Sequence, residues 1–249
     1  MDNAAIIELW LVDLERCAPA LAALERDTPR LADADRERAA QLAHERERRH
    51  RLAAYTALRV LLERRAGAGV RGAPLLRAPG GKPGLAGGSI EYSLSHTDGL
   101  ALIGMGAGCG AIGVDLERAR PVRMSPRARG EICAIAAGLG GGLRTGPGRA
   151  FLQAWARLEA FAKARGRGVA RTLADMGQRG HGGRLQPVPP ARLEATARRV
   201  AREAGLAVRD LHLGPGLHAA LAAPRGARHA VPRAFPSDLA GITSLIERR

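Results

Sequence analysis

Between Ala111 and Glu117 the chain reads Ala-Ile-Gly-Val-Asp-Leu-Glu, an alternation that suits an extended strand. Successive strand side chains point oppositely, so Ile112, Val114 and Leu116 share one face, and Gly113, Asp115 and Glu117 the other. Two like charges side by side on one face repel. Further on, Phe151, Trp155, Leu158 and Ala162 recur at spacings of four, three and four, the buried stripe of a helix over 149–165. Glu159 and Lys163 lie one turn apart on a neighbouring stripe. Taken singly, each pair also reads as ordinary surface charge. Taken together, three carboxylates and an ammonium carried by a strand and a helix are the groups of a hard-cation site that handles phosphate.

The rest of the chain frames these two segments. Residues 5–14 read as a first strand, rich in β-branched and aromatic side chains. A long helical region is expected from Asp33 to Arg65, with Leu52, Tyr55, Leu58 and Leu62 as its apolar stripe and Gly67 and Gly69 ending it. After a Pro/Gly-rich loop over 71–88, around Gly81-Lys82-Pro83, the pattern predicts an antiparallel meander of strands 90–95, 100–105 and 111–117. Its first and third strands run the same way, so Ser95-His96 and Asp115/Glu117 should emerge at one end of one sheet. Residues 118–148 look irregular, and their glycine-rich part reads as flexible by composition. A turn at 177–183 joining two strands, a helix at 190–204, strands at 206–213 and 217–222, and a loop-like tail with a short helix at 237–248 complete the reading. The fold class is α+β: two pseudo-equivalent subdomains, each a small, mostly antiparallel sheet packed with a long helix. The expected boundaries are 1–108, 109–224 and a tail of 225–249, with the halves meeting near 106–110.

Charge narrows the partners. The net charge is +15 and the isoelectric point about 11.4, which favours anionic ligands. Nucleic acid is the default inference from such basicity, but arginine is spread along the whole chain and only 3% of residues are the aromatics that stack on bases. Of the 39 basic residues only Lys82 and Lys163 are lysine, so both positions stand out. The three cysteines are far apart and form no Cys-x-x-Cys pair, which argues against a disulfide framework or a zinc site. Met1-Asp2-Asn3 begins no basic leader, and the longest uncharged run, Gly99–Val114, has 16 residues, short of the ~20 of a membrane span. The expectation is a cytoplasmic monomer with neither membrane nor nucleic acid as partner.

In order along the chain, Gly81-Lys82-Pro83, Ser95-His96, Gly113-Val-Asp115-Leu-Glu117 and Trp155-x-x-x-Glu159-x-x-x-Lys163-x-x-Gly166-x-Gly168 resemble the 4′-phosphopantetheinyl transferase superfamily, in its larger two-subdomain, surfactin-synthetase-activating type. The likeness runs from about residue 33 to 223. It implies transfer of the phosphopantetheine arm of coenzyme A to a serine of an acyl or peptidyl carrier protein, with release of 3′,5′-ADP. It further implies magnesium held by Asp115, Glu117 and Glu159, with Glu159 taking the serine proton and Lys163 meeting the phosphate and assisting the leaving group. Lys82, Ser95 and His96 would bind coenzyme A phosphates, and Arg38 and Arg51 would approach its 3′-phosphate.

The chain departs from the family pattern at two internal places. Leu158 stands where the family usually has lysine, and 123–148 lacks the family's phenylalanines, keeping Glu131 as its one acid. A non-catalytic relative that binds coenzyme A or a carrier domain is the alternative reading, and a nucleic-acid-binding metal enzyme a remote one.

Overall fold

The computed structural model describes residues 6–78, 80–88, 90–142, 147–177 and 188–248, with the backbone alone for 147–149. The first strand, β1 (Ile6–Asp13), runs into α1 (Leu14–Asp27), which Asp13 caps by accepting from the Arg16 amide at 3.0 Å. Next come α2 (Asp33–Ala40) and α3 (Glu45–Ala66). The expected single helix over this stretch is therefore two. Arg59 and Asp35, 24 residues apart, meet at 2.5 Å; in one continuous helix they would be ~36 Å apart. Folding α2 back along α3 satisfies both buried charges, and Arg48 closes the bend by donating to the carbonyls of Leu42 and Ala43.

A short ribbon, β2 (Leu76–Arg77) against β3 (Pro83–Gly84), leads to β4 (Ile90–Thr97), β5 (Leu100–Ala107) and β6 (Gly113–Arg118). The β4–β5 hairpin forms as its alternation predicts. The third strand of the meander does not follow: β6 leaves β5 and begins a second sheet. It is followed by α4 (Pro126–Gly140), α5 (Pro147–Ala164), α6 (Val169–Asp175), α7 (Pro190–Glu203), β7 (Leu206–Leu211) and β8 (Leu217–Pro224). The second sheet has the order β6-β8-β7 and is antiparallel throughout. The chain ends with β9 (Arg228–His229), β10 (Arg233–Ala234) and α8 (Leu239–Glu247), and both short strands pair in parallel with β1. The tail thus returns to the first sheet, whose order is β10-β1-β5-β4, and α8 packs on its helices.

The α+β class holds, in four layers. Trp10, Val12, Ile103 and Met105 of the first sheet meet α1, α3 and α8 in one core. Ile7, Leu9 and Leu102 on its other face meet Val114, Leu116, Ala219 and Leu221 of the second sheet. On the far side of the second sheet α4, α5 and α7 form the third core. Gly104 allows the sheets to approach, since a Cβ there would lie 2.8 Å from Val114 Cγ1. Helix α4 corrects the irregular reading of 118–148: Ser125 caps it, Pro126 opens it, and Ile132, Ile135, Ala136 and Leu139 bury one stripe. Its Gly138 lies against the Glu194 carbonyl of α7, a contact that any larger residue would block. The strands expected on either side of a turn at 177–183 fall largely outside the described residues, and α6 occupies the stretch before it.

Candidate functional site

The geometry of the site begins at Gly113. A Cβ there would lie 2.1 Å from the Ala160 carbonyl and 2.5 Å from the Ala164 amide, so only glycine lets α5 press directly on β6. Two residues along the same face, Asp115 is then within reach of the last turn of α5. The Lys163 ammonium donates to Asp115 Oδ1 at 2.6 Å and to the Val114 carbonyl at 3.2 Å.

Asp115 is fixed from the other side by β4. The Ser95 hydroxyl donates to the same Oδ1 at 2.7 Å while accepting from the Leu116 amide at 3.3 Å. Ser93 accepts from the Val114 amide at 3.0 Å. These two hydroxyls, alternate residues of β4, link it to β6 where no backbone ladder does, and thereby join the sheets. Ser95 and Asp115 do come together as the sequence predicts, but across this junction and not within a meander. Asp115 is 4% exposed, and its Oδ2 finds no hydrogen-bond partner among the described residues.

Glu117 and Glu159 complete the acidic group. Burial pushes both carboxyls above their ordinary range, and the neighbouring Asp115 charge adds to the rise in each. Glu117 is held by Arg120 at 3.2 Å. Among the described residues no three His, Cys, Asp or Glu side chains converge closely enough to hold a metal ion as they stand. The donor set nonetheless fits magnesium. It consists of hard oxygen ligands, Glu117 and Glu159 with proton affinities raised by burial and by the Asp115 charge, and Asp115 offers a buried oxygen with no other partner among the described residues. No zinc-type sulfur or imidazole ligand is needed to account for it.

In front of this group opens a cleft of about 340 Å³ between the two halves, lined by Arg38, Arg51, Lys82, His96, Glu159 and Lys163 together with residues the motifs do not include. Ser95, Asp115 and Glu117 are not among the residues that line it. The wall is closed where the loop before β3 touches the turn after α5: a Cβ on Gly80 would lie 1.3 Å from the Gly166 carbonyl. Lys82, held near that contact, pairs with Glu91 at 2.7 Å. Arg38 faces Asp35 at 3.6 Å. Arg51 lies over the Tyr55 ring, 5.7 Å from its centre, and has no carboxylate partner among the described residues. His96 keeps part of its side chain open to solvent. The protein atoms crowded around the rest of the ring, and then the charges of Arg51, Lys163 and His50, pull its pKa down to about 4, so the ring is neutral at pH 7.

Arg77, Arg167, Tyr55 and Tyr92 also line the cleft and were not among the sequence candidates. Arg77 and Arg167 are two arginines among many in the sequence, and only the β2–β3 ribbon and the Gly166 turn bring them here. Tyr92 could have been marked, because it alternates with Leu94 and His96 on the same face of β4. Leu158 is fully buried in the third core, as its helical spacing predicts.

The described helices include none long and apolar enough to cross a membrane. Among known proteins, no family model and no curated sequence matches this chain.

Proposed function

We propose that this protein transfers the 4′-phosphopantetheine arm of coenzyme A to a serine of an acyl or peptidyl carrier protein, releasing 3′,5′-ADP. The observation that carries the reading is the Lys163–Asp115 contact at 2.6 Å beside Glu159, at the inner wall of a cleft bearing Arg38, Arg51, Lys82 and His96. A chain this rich in arginine has its only two lysines on that cleft.

Each side chain has work in such a reaction. Arg51, lacking a carboxylate partner among the described residues, is available to a terminal phosphate, and Arg38 would release its distant contact with Asp35 to join it. Lys82 would exchange Glu91 for the pyrophosphate. Glu159, its proton affinity raised by burial, is a stronger base than a surface carboxylate and would take the proton of the carrier serine. Lys163, one turn on, would follow the charge that develops on the leaving phosphate. Asp115, Glu117 and Glu159 would hold magnesium, which when bound offsets charge on the pyrophosphate. The basic exterior suits the acidic helical face of a carrier protein.

A relative that binds coenzyme A without transfer would keep the cleft and lose the chemistry; the wide spacing of the carboxylates and the buried Leu158 favour it as the second reading. Incubation with coenzyme A, magnesium and apo carrier separates the two. Carrier-dependent release of 3′,5′-ADP is the expected result, and coenzyme A binding without release would move the assignment to the second reading.

A further inference from the structure

The Lys163 ammonium holds the carboxylate that a divalent cation would need. Of its three donors, one meets Asp115 Oδ1 at 2.6 Å and another the Val114 carbonyl at 3.2 Å. The same Oδ1 accepts from Ser95 at 2.7 Å. The other oxygen, Oδ2, is shut away from solvent among protein atoms. As it stands, Asp115 presents no open oxygen to an ion.

Of the two side chains on Oδ1, Lys163 is the one free to leave. Ser95 is fixed within β4 and only 6% exposed. Lys163 is 30% exposed and carries its charge on a flexible four-carbon stem. It lines the cleft, which Asp115 does not. A phosphate in the cleft offers the ammonium a second anionic partner. Once the ammonium moves to it, Asp115 is left as a buried charge without its counter-charge, an arrangement that is costly until another cation replaces it.

We infer that Lys163 is an internal stand-in for the divalent cation: its ammonium keeps Asp115 closed to magnesium in the free protein, and a phosphate ligand opens the metal site by drawing it away. The ammonium and the ion exclude each other on Asp115. The phosphate and the ion assist each other, and the assistance is equal in both directions. The inference rests on the proposed reaction for the identity of the ion and of the phosphate ligand. It adds that the phosphate ligand itself forms the metal site.

The test is calorimetric titration of magnesium into the full chain and into Lys163→Met, each with and without 3′,5′-ADP. Without nucleotide, the variant should bind magnesium about tenfold more tightly than the parent. The nucleotide should tighten magnesium binding by the parent about tenfold, and by the variant less. A variant that binds magnesium no more tightly than the parent would overturn the inference, because a lysine that merely braces Asp115 costs metal affinity when removed. Equal tightening by nucleotide in both proteins would also overturn it.

The parent chain gives a second readout that needs no folded variant at Lys163. Lys82 and Lys163 are its only lysines, so isotope-labelled lysine yields two side-chain NMR signals, which Lys82→Arg assigns. The Lys163 ammonium protons should exchange with water faster once magnesium saturates the free chain, and unchanged exchange would overturn the inference. These failures leave the transfer reaction intact, since carrier mass reports it separately. Magnesium binding to neither protein, with or without nucleotide, would overturn both the inference and the magnesium assignment of the proposed function.

Discussion

The Ser95 hydroxyl donates to Asp115 Oδ1 at 2.7 Å across the seam between two sheets. The same oxygen receives Lys163 at 2.6 Å from a helix on the far face. One carboxylate oxygen is thus saturated from both sides, and the other, Oδ2, is left with no partner among the described residues. The Ser95 hydroxyl, for which the family resemblance implies a phosphate contact, spends its proton here on Asp115.

Ser95→Ala should cost about 1–3 kcal/mol, because the buried Leu116 amide loses its acceptor along with the Asp115 contact. It should also weaken magnesium binding by freeing the carboxylate to turn. Denaturant unfolding and metal titration of the variant measure the two effects separately. An unchanged metal affinity would show that Asp115 keeps its orientation without Ser95.

Gly113→Ala tests the close packing of α5 on β6. The added Cβ would fall 2.1 Å from the Ala160 carbonyl, on backbone that cannot turn aside. The helix must then move, at a cost of about 1–3 kcal/mol or more. Thermal unfolding should show the loss, and transfer should fall even in the fraction that remains folded.

The Asp35–Arg59 pair is almost fully buried, with side chains 4% and 1% exposed. Asp35→Asn should cost about 3–5 kcal/mol by leaving a buried guanidinium without its counter-charge. The double variant Asp35→Leu/Arg59→Met should lose less than either Asp35→Leu or Arg59→Met alone. Chemical denaturation of these three variants checks this, and additive losses would contradict it.

His96 supplies a pH dependence. Its pKa of about 4 in the folded protein lies below the ordinary 6.5, so folding favours the neutral ring. Stability from this group is complete above pH 6.5 and falls away as the pH drops toward 4. A bound phosphate reverses the local balance and should raise the value. An NMR titration of the imidazole with and without 3′,5′-ADP should show the low value first and an upward shift second. No movement on ligand addition would place His96 away from the phosphates.

The parts of this architecture that depend on local pattern were legible in the sequence. The alternation of Ile90, Tyr92 and Leu94, the Asp98-Gly99 turn, and the four-three-four stripe of α5 specify their elements by period and turn chemistry alone. The motifs also name Asp115 and Lys163, which meet at 2.6 Å. What escaped depends on distant partners. The bend between α2 and α3 exists because Asp35 reaches Arg59, and the glycines of α4, which read as loop, are there to let α7 and α5 pack close. Likewise β6 leaves β5 because β8, a hundred residues on, offers it a ladder while Ser93 and Ser95 replace one on the other side. The tail reads as loop until β1 is seen to have an open edge for it.

The most direct test is the intact mass of an apo carrier protein after incubation with coenzyme A, magnesium and either the parent chain or Glu159→Gln. The carrier should gain the mass of one phosphopantetheine arm with the parent and none with the variant, whose fold and coenzyme A binding should persist. No gain on acyl or peptidyl carriers from the parent, or an equal gain from Glu159→Gln, would contradict the account.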